Sequence, residues 1–202
     1  MESVTDLSQL NPDSLYTYAD YLTWRLQERI ELIRGKVLKM SPAPSRRHQD
    51  ISSNIFGVFH DYLQKSQASC KIYTAPFDVR LHEAKRSVTS PDNIYTVVQP
   101  DLCIICDRSK LDERGCLGAP DLIVEILSPG NSKKEVQTKF KLYESSGVRE
   151  YWVVFPSEET LQQFALNEDG KYEFFGFYNP GDMVQAAIFE HLQVNMTVVF
   201  SD

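Results

Sequence analysis

The sequence predicts an α/β fold, a central mixed β-sheet flanked by helices, and two observations carry that expectation. The first is a strand–helix–strand order: an apolar run at 121–127, a helix-forming stretch at 132–145 and a second apolar run at 150–155. Two strands joined through a helix form a crossover unit with parallel pairing. The second is the segment 46–65, where Ile51, Ile55, Phe59, Tyr62 and Leu63 fall on one helical stripe. A stripe of that kind buries its helix against something flat, most economically a sheet.

The elements follow in order. After a polar lead-in (1–16), Thr17-Tyr18-Ala19-Asp20 has the pattern of a capping box, opening a helix expected to run to about Glu28. The runs 30–33 and 36–40 around Arg34-Gly35 read as a hairpin. Ser41-Pro42-Ala43-Pro44 breaks the pattern, and Ser45 can cap the 46–65 helix. Residues 72–81 alternate like a strand, and a polar loop with Lys85, Arg86 and Pro91 follows. Residues 93–106 are strand-like around a Gln99-Pro100-Asp101 interruption, and 115–120 reads as a turn. The run 121–127 is apolar enough to be buried on both faces. Ser128-Pro129-Gly130 stops it, Ser132 can cap the next helix, and Ser146-Gly147 ends that helix. From Glu158 onward, short strand-like runs such as 172–178 suggest a β meander. Residues 17–202 are read as a single domain.

Composition narrows the function classes. The chain of 202 residues is 42% hydrophobic and 24% charged, with a net charge of −7. A protein that holds nucleic acid by being basic throughout is excluded, whereas a local basic groove or a bridging metal is not. No run approaches the ~18 apolar residues of a membrane span. The first fifteen residues lack the pattern of a secretory signal, so a cytoplasmic location and four reduced thiols are expected. Cys103 and Cys106 sit in an apolar strand-type run, where residues three apart face opposite ways, which speaks against a metal knuckle.

Acid inside apolar strands carries the chemistry. Glu125 lies within Ile123-Val124-Glu125-Ile126-Leu127, and burial raises a carboxylate's pKa unless a cation or donors compensate. Asp101 opens another apolar run directly after Pro100. Carboxylates at the ends of neighbouring strands can share a hard divalent cation; the alternatives are an ion pair within the sheet or a strand-end cap. Asp121 shares a face with Glu125 but lies ~13 Å back along the strand, so it reads as a strand-entry residue. Glu135, Lys139 and Tyr143 recur at i, i+4 and i+8 on the following helix. Lys139 there can neutralise charge at Glu125, or form a solvated pair with Glu135. His48, in the first turn of the long helix, is either a phosphate contact or a polar helix-start residue. Phosphate-binding glycine loops, a nucleophile elbow and H-E-x-x-H are absent.

Taken together, Pro100-Asp101, Ala119-Pro120-Asp121 through Glu125 to Ser128-Pro129, Lys139-x-x-x-Tyr143 and Gly147-Val148-x-Glu150-Tyr151-Trp152 resemble the Uma-two family. These are bacterial proteins with a restriction-endonuclease-like fold in the PD-(D/E)XK nuclease superfamily. The similarity extends upstream through Glu31-Leu32-Ile33-x-Gly35, Met40-Ser41-Pro42 and His48. It implies a restriction-endonuclease-like core of helix, three strands, helix and strand, here with an N-terminal hairpin and the C-terminal meander. It further implies metal-dependent phosphodiester hydrolysis of DNA, with one or two Mg²⁺ (or Mn²⁺) ions held by Asp101 and Glu125, which lie 24 residues apart. Two departures stand out: Leu127 occupies the position of the motif lysine, and Glu135 stands where relatives usually carry Asp. Lys139 resembles a displaced substitute for that lysine, orienting the nucleophile, and its removal is expected to impair cleavage while sparing the fold. The resemblance adds His48 and Glu31 as completing residues and implies a homodimer. Arg46, Arg47, Lys133, Lys134 and Lys141 are the candidate DNA contacts, with a solvated helix surface as the other explanation. The alternative function is a non-catalytic interaction or DNA-binding module that retains the nuclease fold.

Overall fold

The computed structural model describes residues 3–40, 43–82, 90–129 and 133–202. Thr17 caps a short helix, α1 (Tyr18–Tyr21), through a reciprocal box with Asp20. The helix stops there and does not reach Glu28. Tyr18 and Trp24 turn into an apolar cluster with Ile30, Leu32, Ile94 and Val97, and the Arg25 N–H donates to the Val4 carbonyl instead of continuing the helical ladder. Val4, Leu7 and Leu10 of the lead-in pack on the same cluster. The hairpin forms as expected from β1 (Ile30–Ile33) and β2 (Lys36–Lys39). Its turn puts Arg34 and Gly35 at φ 52° and 81°, the positive values that a two-residue hairpin turn requires.

Helix α2 (Arg46–Lys65) begins at Ser45, whose Oγ accepts from the His48 N–H. Its buried stripe is His48, Ile51, Ile55, Phe59 and Leu63. The run 72–81 is not one strand. It divides into β3 (Lys71–Thr74) and β4 (Val79–Leu81), which belong to different sheets. The run 93–106 divides likewise into β5 (Thr96–Val98) and β6 (Leu102–Ile105), with Gln99-Pro100-Asp101 carrying the chain from one sheet to the other. After β7 (Leu111–Asp112), the expected 115–120 turn begins as a strand, β8 (Gly115–Leu117), paired in parallel with β4. Then come β9 (Leu122–Ile126), α3 (Lys133–Ser146), β10 (Glu150–Phe155), β11 (Thr160–Leu166) and β12 (Tyr172–Tyr178). The chain ends with β13 (Met183–Gln185), β14 (Gln193–Asn195) and α4 (Met196–Val199). Ser41, Pro42, Lys85, Arg86, Gly130 and Ser132 lie outside the described residues.

The strands form one six-stranded sheet ordered β2-β1-β5-β4-β8-β7, a second ordered β12-β11-β10-β9-β6-β3, and the pair β13-β14. The second sheet contains the central strands expected from sequence, and β9 pairs with β10 in parallel through α3. Strand parity decides what each face buries. Leu122, Val124 and Ile126 point with Leu102, Ile104 and Trp152 toward Ile51, Ile55 and Phe59 of α2. Ile123, Cys103, Tyr151 and Val153 point toward Tyr143 of α3 and toward Val79, Leu81 and Val98 of the first sheet. Each such large apolar side chain contributes roughly 1.5–3 kcal/mol when fully buried.

The cysteines depart from the expectation of four reduced thiols. The β3–β6 register sets Lys71 opposite Ile105, which brings the next residues out, Cys70 and Cys106, together as a disulfide. Cys103, on the opposite face from Cys106, is free and buried, as is Cys116. Among the described residues, no helix is long and apolar enough to cross a membrane.

Candidate functional site

The antiparallel pairing of β6 with β9 sets Leu102 opposite Val124, so Asp101 and Glu125 sit at the same end of adjacent strands. Asp101 lies across from Glu125, one step beyond the Leu102–Val124 pair, and its side chain reaches His48 of α2. Its Oδ2 accepts the Ile126 N–H at 2.7 Å, and its Oδ1 lies 3.3 Å from His48 Nε2. Burial alone would lower the His48 pKa, but the hydrogen bond and charge of Asp101, together with the Ile126 backbone and the Glu125 charge, hold it above the ordinary value. The buried His48 Nδ1 has no hydrogen-bond partner among the described residues.

Glu125 faces the α3 side and is buried. Its Oε1 accepts from Lys139 Nζ at 2.9 Å and from the Tyr143 hydroxyl at 2.5 Å. Lys139 also donates to Glu31 Oε1 at 3.1 Å. The helix geometry explains the convergence, since Lys139 and Tyr143 are one turn apart on the face of α3 that covers β9. Burial pushes Glu125 up to about 7, with the Asp101 and Glu31 charges adding to the shift and Lys139 and Tyr143 opposing it. For Lys139, burial works against the ammonium, but the two carboxylates more than offset it and hold the group charged. The lysine therefore compensates two buried acids, so its removal should not spare the fold as the sequence suggested.

Glu31 links the two sheets at this point. On β1, its Oε1 also accepts the Gln99 backbone N–H at 2.9 Å. The Gln99 side chain is itself fixed, accepting from Arg29 at 2.8 Å and donating to Asp78 at 2.9 Å. Glu31, His48, Asp101, Glu125 and Lys139 all line one cavity of about 360 Å³ between the sheets and helices α2 and α3. Lys134 lines it as well, while Arg46, Arg47, Lys133 and Lys141 do not. Arg46 is paired with Asp50 at 2.7 Å, and Arg47 with Glu159 and Asp202. Asp121 accepts the Cys106 N–H at 2.8 Å and pairs with Arg149, consistent with a strand-entry role.

Two features were missed from sequence. Tyr143 was noted only for its spacing, although that i+4 spacing from Lys139 was the signal for its contact with Glu125. Glu150 is a further buried acid, accepting from Trp152 Nε1, Gln163 Nε2 and the Ile188 N–H. Its three neutral donors bind the 186–189 segment to the sheet, and it lines none of the cavities described here.

Comparison with known proteins fits this architecture. The model of a family described as "Uma2: Putative restriction endonuclease" matches residues 18–198. The "Uncharacterized protein slr1290" of Synechocystis sp. is 24% identical over 156 residues, covering 76% of this chain and 75% of that protein. A crystal structure titled as a "putative nuclease belonging to DUF820" from Anabaena variabilis superposes with a TM-score of 0.69 at 23% identity. That match covers 91% of this chain and 97% of the other, and it speaks for a shared, nuclease-like fold. With the family model spanning nearly the whole length from α1 to α4, the chain belongs to the Uma2 family of restriction-endonuclease-like proteins.

Proposed function

We propose that this protein hydrolyses phosphodiester bonds in DNA, using Mg²⁺ or Mn²⁺ held at Asp101 and Glu125. The observation that carries the reading is the meeting, in one cavity, of two carboxylates from adjacent strands with a buried lysine from the crossover helix. The donor set suits a hard divalent ion. Glu31, Asp101 and Glu125 bring three carboxylates together around Lys139 and His48 in this cavity. Among the described residues no cluster of three or more His, Cys, Asp or Glu is arranged to hold a metal. Mg²⁺ does not need one, because it is commonly bound by one or two carboxylates plus substrate phosphates and water. Once bound, such an ion polarises a phosphoryl oxygen and acidifies its water.

The remaining contributions come from the chain. His48 restrains Asp101, and Tyr143 and Lys139 both hold Oε1 of Glu125. The Lys139 ammonium is a fixed positive charge beside the site, of the kind that stabilises charge developing in a transition state. Lys134, at the mouth of the cavity, supplies a phosphate contact. The test is cleavage of single- and double-stranded DNA with Mg²⁺ or Mn²⁺, alongside calorimetry of Mn²⁺ binding. Asp101→Ala and Glu125→Ala should each abolish cleavage and tight Mn²⁺ binding, and Lys139→Met should reduce cleavage by ~10²-fold. Unchanged Mn²⁺ binding in both alanine variants would refute the site. The second reading, a non-catalytic module on the same fold, draws on Leu127 at the motif-lysine position and on the engagement of Lys139 with Glu31 as well as Glu125. Metal binding without cleavage of any nucleic acid would favour it.

A further inference from the structure

Strand β12 is the outermost strand of the second sheet, and it leaves Phe174 50% and Phe177 59% exposed. In a regular strand, residues three apart face opposite sides. Here they face the same side, because the β11–β12 register shifts between Gln163 and Phe164. Gly176 pairs with Gln163 and Phe174 with Phe164, which leaves Phe175 as the extra residue. A bulge of this kind re-aims a side chain, and its effect is to bring the Phe174 and Phe177 rings within 4.9 Å of each other. Phe174 in turn lies 5.5 Å from Phe164, and Phe164 lies 5.0 Å from Phe140 of α3. Four rings thus run from the crossover helix to the edge of the sheet, on the face that carries Glu125.

This row of rings adjoins the candidate site. Phe140, Phe164, Val136 and Lys141 line a groove of about 290 Å³, and Val136 also lines the cavity that holds Asp101 and Glu125. Lys134 and Lys141 are exposed and seven residues apart, two helical turns on one side of α3. Lys134 lines the cavity and Lys141 lines the groove, so both cations stand at the α3 end of the row of rings. The remaining charge of the exposed strand, Glu173, pairs with Ala165 and points to the other face.

We infer that this path is a binding track for single-stranded nucleic acid, with unpaired bases stacking on Phe174 and Phe177 and the backbone held by Lys141 and Lys134. Planar bases against exposed rings, with cations tracking the phosphates, is the way strands are held without sequence preference. The inference rests on the phosphodiester-hydrolase reading for its purpose and extends it by naming the substrate as a strand with unpaired bases next to the cut.

The experiment is fluorescence anisotropy of a labelled single-stranded oligonucleotide, measured in EDTA so that no cleavage occurs. The wild type is compared with F174L/F177L, which keeps the apolar area and removes the stacking faces, and with F174W/F177W, which keeps them. Both positions are half-exposed, and unchanged urea midpoints will establish that both variants are folded. The leucine variant should bind at least ~10-fold more weakly, the scale of losing stacked bases, while the tryptophan variant binds as well as the wild type. Equal binding by the leucine variant and the wild type overturns the inference, as does a wild type that fails to bind the oligonucleotide. Sedimentation showing that the leucine variant loses a dimer, with oligonucleotide binding intact, would make the surface a contact between copies and also overturn it. Because binding is read without metal, a protein that binds the strand but never cleaves would sink the hydrolase reading and leave the track standing.

Discussion

Replacing Lys139 with methionine keeps most of the apolar stem and removes the ammonium that lies 2.9 Å from Glu125 and 3.1 Å from Glu31. The consequence depends on pH in a way the geometry specifies. Glu125 has a folded pKa of about 7, against an ordinary 4.5, so it takes up a proton on folding within that window. A raised acid of this kind makes stability fall as pH rises from 4.5 to 7. At pH 6 Glu125 is largely protonated with or without the lysine, and the substitution loses chiefly the hydrogen bond to Glu31, about 1–3 kcal/mol. Above pH 7 the wild type ionises Glu125 against Lys139, whereas the variant must keep it protonated. The gap between them then widens by about 1 kcal/mol per pH unit. By pH 9 the total should approach the ~3–5 kcal/mol typical of breaking a buried ion pair. Urea unfolding in EDTA at pH 6 and pH 9 measures this directly. A destabilisation that is the same at both values, or below about 1 kcal/mol at pH 9, would show that Lys139 does not compensate Glu125.

In the proposed metal-dependent reaction the same carboxylate sets the pH dependence of metal binding. Mn²⁺ affinity should rise about tenfold per pH unit below pH 7 and level off above it, because the ion requires ionised Glu125; calorimetry in buffers of different ionisation enthalpy should find close to one proton released at pH 6. Glu150→Gln turns an acceptor of three N–H groups into one that presents an amide to at least one of them, and should lower stability by about 2–3 kcal/mol without altering Mn²⁺ affinity. Phe59→Ala removes a fully buried ring packed on Trp152 and should cost about 3–5 kcal/mol in chemical denaturation, whereas a loss under 1 kcal/mol would mean that α2 is not docked on the sheet as described.

Where local chemistry decides the structure, the sequence was legible. Ser45 and the Ile51–Ile55–Phe59–Leu63 stripe determine both the start of α2 and the face it buries. Arg34-Gly35 determines the hairpin, since a glycine at φ 81° sits where an added Cβ would come within 3.0 Å of Leu15. Elements whose limits depend on distant partners were not legible. Period-2 alternation is the same whichever sheet a strand joins, so residues 72–81 and 93–106 each looked like one unit although each serves two sheets. The box at Thr17 marks where α1 starts, but its end is decided by where Trp24 finds apolar company. The Cys70–Cys106 pairing likewise depends on the β3–β6 register, which no local pattern encodes.

The site shows the same division. An acid inside an apolar strand is a strong signal of a group that must be compensated, and it drew attention to Glu125. It could not say by what, and the structure holds four buried acids, Glu31, Asp121, Glu125 and Glu150, compensated in three different ways. Glu150 is surrounded by neutral donors in a closed part of the core. Asp121 ties a strand end through a backbone N–H and Arg149. Glu31 and Glu125 line the 360 Å³ cavity and share Lys139, and Glu125 also has a tyrosine on the same oxygen and a second acid on the adjacent strand. Burial of the carboxylate is common to all four and therefore does not mark function. What separates Glu125 and Glu31 is that their compensation is one shared ammonium at the wall of a cavity, so that a cation entering the cavity can share the burden that Lys139 carries. A buried acid satisfied by fixed backbone and indole donors has nothing further to gain from an incoming ion, and one whose partner is another side chain at a cavity wall does.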